Sequence, residues 1–139
     1  MNVNYMAYNT TTSMFANKEA RIAFSQAINR EELVDSLYQG YSEVAESILP
    51  SFVPGYDATV KQVAYDEAAA KAGLAAAGIT KVHMIAYTNP RPYNAATGVA
   101  LATAIQGYLQ KVGVECTIDT YDWTTYKQKV KTGEFDVAF

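Results

Sequence analysis

The loop over residues 88–93 holds the side chain best suited to bind an anion. Pro90 and Pro92 flank Arg91 and restrict the backbone on both sides. A helix is predicted to begin at Asn94 or just after it, so its free N–H groups and positive dipole end would lie close to the guanidinium. A fixed arginine beside a helix N-terminus suits a carboxylate or a phosphate. The alternative is a solvated arginine in a stiff surface loop, and the spacing alone leaves both interpretations open.

Aromatic and amide side chains near this arginine are further candidate ligand-binding residues. Ligands of open α/β sheets bind beyond the carboxyl ends of the strands, which is where these residues are predicted to lie. Tyr93 could form an apolar wall, and Asn89 and Asn94 lie at either end of the same loop. Trp123, the single tryptophan, is predicted on the first turn of a helix that follows another strand. It either packs on the rim of the core or forms a cleft wall, and the pattern does not choose. The candidate ligand-binding residues are Asn89, Arg91, Tyr93, Asn94 and Trp123.

The sequence lacks the motifs that catalysis or cofactor binding would require. None of its serines stands in the G-x-S-x-G context of a nucleophile elbow, and no glycine-rich phosphate loop occurs. His83, the one histidine, is predicted within a strand, where a structural role is favoured over a catalytic or metal-binding one. Cys116, the one cysteine, takes an apolar position in another predicted strand and is interpreted as a buried structural thiol. We therefore predict no catalytic residue, no metal and no cofactor.

The composition favours an ordinary domain and argues against two classes of partner. Half of the 139 residues are apolar, so a core can form, and the net charge is −3. The closest basic cluster, Lys127, Lys129 and Lys131, lies near a predicted helix C-terminus, where cations complement the helix dipole, so nucleic acid is not expected. No segment approaches the ~20 apolar residues that cross a membrane. Residues 1–8 show no signal peptide, so an exported protein would be present here as a mature form or an excised piece.

Hydrophobic periodicity and capping residues predict how these residues are positioned. The first half is predicted as a strand over 3–8, a loop over 9–16, helices capped by Asn17 and Asn29, and an irregular connection over 41–63. The second half is predicted as a helix capped by Asp66, strand 81–87, a helix from Asn94, strand 114–121, a helix capped by Asp122, and strand 135–139. Such alternation indicates an α/β domain with right-handed crossovers and a largely parallel sheet. Because the pattern stops within an apolar strand, we expect a fragment.

Several short motifs follow one another along the chain. The longest run, residues 15–34, includes the stretch Ala27-Ile28-Asn29-Arg30, and Tyr38-Gln39-Gly40 follows it. Further motifs come later in the chain: Leu49-Pro50, Pro54-Gly55-Tyr56, Tyr65-Asp66, Ala77-Gly78, Arg91-Pro92-Tyr93-Asn94, Lys111-Val112-Gly113-Val114, Tyr121-Asp122-Trp123 with Tyr126, and Gly133-Glu134-Phe135-Asp136. Their order resembles the family 5 extracellular solute-binding proteins, which serve ABC transporters for dipeptides, oligopeptides, nickel and related cargo. In two departures, Asn29 stands where the family often has aspartate and Glu67 where it often has proline, and both keep a helix start.

The resemblance implies a single α/β lobe of the type II periplasmic-binding-protein kind over residues 1–139, with a central, mostly parallel sheet flanked by helices. It implies a binding protein and not an enzyme, in which two lobes close on a small peptide and the first lobe is missing from this chain. The implied partners are ABC transporter permease subunits, and the implied location is extracytoplasmic. Arg91 aligns with the family loop that meets the carboxylate of a dipeptide.

Three alternatives stand beside peptide binding. The same fold could carry nickel or a metal chelate, although His83 and Cys116 are not spaced as a convincing ligand set. A small α/β hydrolase-like enzyme is the second alternative. The third is self-association of the fragment, because loss of a partner lobe would expose apolar surface around Phe135, Val137 and Phe139.

Overall fold

Strands and helices alternate in the second half of the chain, as the apolar pattern predicts. The structure is a computed structural model that describes residues 3–91 and 96–139. Its elements in chain order are β1 (Ala7–Tyr8), α1 (Ser13–Ala16), α2 (Lys18–Gln26), α3 (Arg30–Tyr38), α4 (Glu67–Ala76), β2 (Lys81–Tyr87), α5 (Gly98–Lys111), β3 (Glu115–Tyr121), α6 (Trp123–Thr132) and β4 (Val137–Ala138).

The four strands found in the described part of the chain form one mixed sheet in the order β1-β4-β2-β3. Strand β2 pairs in parallel with both β3 and β4, whereas β1 pairs antiparallel with β4. The register of β2 and β3 runs from Lys81 opposite Glu115 to Tyr87 opposite Tyr121. The prediction of a mostly parallel sheet is thus confirmed, and the carboxyl ends of β2 and β3 lie level with each other.

Each face of the sheet is covered by helices, because side chains of a strand point alternately to the two faces. Val82, Met84 and Ala86 of β2 belong to the main core cluster, which also includes buried residues of α2, α3, α4 and α5. Ile85 and Tyr87 belong to a smaller cluster beneath α6. The flanking helices predicted for both sides of the sheet are therefore confirmed.

Of the six helices in residues 3–91 and 96–139, four begin at the capping residue that the sequence predicts. In each case a side-chain oxygen accepts a hydrogen bond from a backbone N–H of the first turn, which would otherwise lack a partner. The four caps are Asn17 to Glu19 (2.8 Å), Asn29 to Glu32 (3.2 Å), Asp66 to Ala69 (2.9 Å) and Asp122 to Thr124 (2.9 Å). Local chemistry thus fixes where α2, α3, α4 and α6 begin.

The predicted start of α5 is wrong. The helix begins at Gly98, where the Oγ1 of Thr97 accepts a hydrogen bond from the N–H of Ala100 at 3.1 Å. Asn94 itself lies outside the described residues. Both residue types are good helix caps, and the choice of Thr97 follows from packing. A Cβ atom at Gly98 would lie 2.8 Å from the carbonyl oxygen of Tyr87, so only glycine lets the helix approach the end of β2 this closely.

The terminal strands are shorter than predicted, and β4 is not exposed. Pairing is limited to Ala7–Tyr8 and Val137–Ala138, and residues 13–16 of the predicted loop form one helical turn. Phe135 and Val137 are buried, while Phe139 is partly buried against the core. Within the chain itself, the main core cluster covers Val137 and part of Phe139, and the small cluster beneath α6 covers Phe135.

Exposed apolar residues occur instead in the connection between α3 and α4. Residues 39–66 contain neither helix nor strand, which confirms the predicted irregular segment. The side chains of Tyr41, Ile48, Phe52 and Val60 in this segment are largely exposed. In the part of the chain that the structure describes, every helix is too short or too polar to cross a membrane.

A buried amide joins the beginning of the sheet to its end. Asn9, directly after β1, is 7% exposed and the only buried polar residue among those described. Its Nδ2 donates to the carbonyl oxygens of Gly133 and Phe135, at 2.9 Å each. Its Oδ1 accepts from the N–H and the hydroxyl of Thr11. All the hydrogen-bonding capacity of the amide is therefore used, which removes the penalty of burying it.

Two glycines in helices provide a matched test of the packing between α2 and α4. A Cβ at Gly73 would lie 2.7 Å from the Cβ of Ala23, whereas a Cβ at Gly107 would meet nothing within 4 Å. Overpacking typically costs ~1–3 kcal/mol, and glycine to alanine in a helix gains ~1 kcal/mol. We expect Gly73→Ala to lower the free energy of unfolding and Gly107→Ala to raise it by up to ~1 kcal/mol, as measured by urea denaturation. A stabilising Gly73→Ala would contradict the close helix contact.

The thiol of Cys116 provides a test of the core around β3. Cys116 is buried, as predicted, and burial, with a smaller contribution from Asp136, raises the pKa of its thiol to about 11. The thiolate is the reactive form, so at pH 8 the folded chain should react at least ~100-fold more slowly with Ellman's reagent than the chain in urea. Because the sequence has one cysteine, the absorbance change reports this site alone. Equal rates with and without urea would place Cys116 outside the core.

Candidate functional site

The loops that follow β2 and β3 are joined directly at the carboxyl edge of the sheet. The backbone N–H of Thr88 donates to the carbonyl oxygen of Tyr121 at 2.9 Å, and the hydroxyl of Thr88 donates to the same oxygen at 3.2 Å. The first residue after β2 is thereby held against the last residue of β3. This contact fixes where the Arg91 loop begins.

Asn89 extends that connection to the first turn of α6. Its Oδ1 accepts a hydrogen bond from the backbone N–H of Trp123 at 3.3 Å. Asp122 caps the same turn and also accepts from the hydroxyl of Thr125 at 2.5 Å. These hydrogen bonds, the one from the Thr125 hydroxyl above all, lower the pKa of the Asp122 carboxyl. The predicted role of Asp122 as a helix cap is confirmed.

Three aromatic rings pack together beneath this corner of the sheet. Trp123 and Tyr126 are stacked, with ring centroids 5.6 Å apart and planes inclined by 15°. The ring of Tyr87 meets both edge-on, at 5.5 Å and 5.6 Å. Burial raises the pKa of the Tyr126 hydroxyl, which donates to the carbonyl oxygen of Phe139. Because such contacts favour defined ring orientations, Trp123 is held in place from below.

The guanidinium of Arg91 lies over the ring of Trp123, with its Cζ 4.0 Å from the ring centroid. Arginine stacks well on aromatic rings because its planar cation faces the negative π surface. The side chain is half-buried and lies at the strand ends. The guanidinium is thus held at the sheet edge against an aromatic ring, and its role in binding an anion stays a prediction.

The structure brings together three of the five predicted site residues. Asn89, Arg91 and Trp123 are linked through the contacts just described. Tyr93 and Asn94 lie outside the described residues, so their predicted roles stay predictions. For Trp123 the packing on the rim of the core is confirmed, since it lies against the small core cluster, and its role as a cleft wall stays a prediction.

Sequence reasoning missed the aromatic residues beneath the site and one lysine beside it. Tyr87 ends β2 and Tyr126 lies one helical turn after Trp123, and both are buried. Lys127 lies four residues after Trp123, with its Nζ 5.9 Å from the indole centroid. The spacing of three and four residues along a helix predicts such neighbours, and this signal was available in the sequence.

Other chemistry-bearing residues lie apart from this corner. His83, within β2 as predicted, pairs its Nε2 with Asp119 of β3 at 2.9 Å. Over residues 3–91 and 96–139, no three histidine, cysteine or acidic side chains are grouped as a metal site would require. At the sheet edge the guanidinium of Arg91 lies on the ring of Trp123, called here the shelf. A cation held in this way can bind an anion.

Comparison with known proteins identifies close relatives over nearly the whole chain. Di/tripeptide-binding protein 1 of Pseudomonas aeruginosa is 35% identical over 97% of the chain, and the dipeptide-binding protein of Escherichia coli is 34% identical over 96%. Heme-binding protein A of Haemophilus influenzae is 30% identical over 96%. The chain spans about a quarter of the length of these relatives, between 25% and 26%.

Solved structures confirm the predicted fold class. A dipeptide-binding protein of Pseudoalteromonas in complex with Met-Leu superposes with a TM-score of 0.88 and 28% identity, covering 96% of this chain and 27% of that one. A DppA periplasmic binding protein of Helicobacter pylori in complex with the peptide STSA superposes with a TM-score of 0.85 and 27% identity. The match covers 96% of this chain and 25% of that one. These neighbours are type II periplasmic binding proteins. Residues 1–139 also match the family described as Bacterial extracellular solute-binding proteins, family 5 Middle, so the chain belongs to the family 5 solute-binding proteins.

Proposed function

We propose that this chain is one lobe of the substrate-binding component of a peptide ABC transporter, which works outside the cytoplasm and binds without catalysis. The names of the relatives in Pseudomonas and Escherichia support a peptide as cargo. Their length, about four times that of the chain, supports a second lobe that closes on the same ligand. Permease subunits would then be the partners of the closed protein.

The observation that carries the proposal is the position of the Arg91 guanidinium. It lies on Trp123 at the carboxyl edge of the sheet, the edge at which ligands of α/β folds bind. Stacking engages the flat face of a guanidinium, while its N–H donors point outward in the plane. A carboxylate approaching in that plane would be bound by charge-assisted hydrogen bonds. The C-terminus of a peptide is such a carboxylate.

The neighbouring residues would orient the cation and exclude water. The N–H of Trp123 donates to Asn89, which joins the loop of Arg91 to α6. The Trp123 ring and the Arg91 guanidinium therefore keep their positions relative to each other. The edge of the Trp123 ring would give an apolar wall to the ligand. Tyr93 and Asn94 are proposed as further contacts on the same loop. None of these roles requires a bond in the peptide to be made or broken.

A different cargo on the same shelf is the second candidate. The observation that favours it is the 30% identity to Heme-binding protein A. Haem carries propionate carboxylates, which suit the same cation. Titration with haem beside a dipeptide separates the two, because the proposed function requires the dipeptide to bind more tightly.

Removing the cation should weaken peptide binding in the full-length protein that contains this chain. We expect Arg91→Ala to cost about 1.5–3 kcal/mol of binding free energy for a dipeptide, the range for a hydrogen bond to a charged group. Isothermal titration calorimetry measures the change. The control is Lys18→Ala, an exposed lysine at the start of α2.

The C-terminal amide of the same dipeptide provides a second control. The amide lacks the negative charge, so it should bind more weakly to the original protein and lose little further affinity in the Arg91→Ala variant. An Arg91→Ala variant with unchanged affinity for the free acid would remove Arg91 from the site.

The isolated chain should bind the same dipeptide only weakly. A ligand held between two lobes loses about half of its contacts when one lobe is absent, and the cost of immobilising it is unchanged. Trp123 is the only tryptophan, so its fluorescence reports binding at the shelf. We expect no saturation at micromolar peptide. Tight binding in this titration would mean that one lobe holds a complete site.

A further inference from the structure

The structure points to Lys127 as a specificity-determining residue: we propose that it binds a second anionic group on the ligand and selects peptides with an acidic C-terminal residue. This inference rests on the proposed function, since it names the class of peptide that the Arg91 shelf would prefer. It assigns to Lys127 a role separate from that of Arg91. Arg91 would meet the terminal carboxylate, and Lys127 the side-chain carboxylate.

Two cations share the single indole ring. The Cζ of Arg91 lies 4.0 Å from the ring centroid of Trp123, and the Nζ of Lys127 lies 5.9 Å from it. Asn89 and the stacking on Tyr126 hold Trp123 in place. Both cations therefore lie beside a ring whose position is fixed. Both cations lie within 6 Å of the same centroid, so a ligand with two carboxylates on a short spacer could meet both of them.

The charge around Lys127 distinguishes it from its neighbours on α6. Lys129 forms an ion pair with Glu134, whereas among the described residues no acidic side chain pairs with Lys127. The nearest acidic residue along the helix, Asp122, already accepts hydrogen bonds from the backbone and hydroxyl of the first turn. The ammonium of Lys127 is thus left at the shelf without a neutralising carboxylate from the described residues.

The chemistry of a C-terminal glutamate or aspartate matches this pair of cations. Such a residue carries its terminal carboxylate and its side-chain carboxylate on one short aliphatic spacer. The spacer can lie along the apolar edge of the indole while the two charged ends reach out to either side. A C-terminal glutamine has the same shape but lacks the second charge, so the pair Ala-Glu and Ala-Gln isolates the contribution of Lys127.

The test compares these two dipeptides by calorimetry in the full-length protein and in its Lys127→Met variant. We expect the original protein to bind Ala-Glu about three- to fivefold more tightly than Ala-Gln, the scale of one exposed ion pair. Lys127→Met should abolish that preference and leave the affinity for Ala-Gln nearly unchanged. Lys127→Arg should retain the preference because the charge is kept.

The matched control is Lys131→Met, because Lys131 is an exposed lysine on the same helix and lies in its last turn, away from the indole. It should keep the preference of the original protein. Equal affinity of the original protein for the two dipeptides, or a preference that survives in Lys127→Met, would overturn the inference while leaving the proposed function intact. Failure of the original protein to bind either dipeptide would overturn the proposed function and this inference together.

Discussion

The level pairing of β2 with β3 is the constraint on which the rest of the site depends. Because Tyr87 lies opposite Tyr121, both strands end at the same height and their following loops start side by side. The hydrogen bonds from Thr88 to Tyr121 then hold those loops together. A register shift of one residue would turn Tyr87 to the opposite face of the sheet. The aromatic cluster, and with it the shelf beneath Arg91, exists only in the observed register.

The hydrogen bonds at the site are supported by rigid packing beneath them. Trp123 stands on two buried tyrosines and on a capped helix turn, and Gly98 brings α5 close against the end of β2. Each of these contacts limits the motion of the shelf without using the ring face that Arg91 covers. Preorganisation of this kind lowers the cost of fixing a ligand, because the protein side is already ordered.

Much of the fold could be predicted from the sequence because its signals are local. Asn17, Asn29, Asp66 and Asp122 cap helices through bonds to residues two or three positions away, which a short pattern reveals. The start of α5 was not predictable in this way. Asn94 and Thr97 are both competent caps, and the closeness of the helix to the end of β2 decided between them.

The composition of the site could be predicted only in part. Arg91 stood out through its flanking prolines, and Trp123 through its place after a strand. Their contact, however, joins a loop to the first turn of a helix that is distant in sequence, and no local pattern encodes it. The sequence pattern indicated only that Tyr87 is an ordinary strand residue and that Lys127 is one of several helix cations. The place of Tyr87 beside Trp123 follows from the sheet register, which brings the ends of two strands together, whereas that of Lys127 follows from its position four residues after Trp123 on α6.

The buried amide of Asn9 has a mechanical consequence. By binding the turn between α6 and β4 through Gly133 and Phe135, it makes the segment that enters the sheet and the helix that carries Trp123 parts of one stiff body. A pull on the chain ahead of β1 would be passed to α6 as a tilt and would not be absorbed by loose backbone. The aromatic residues beneath the shelf would then move together with β1.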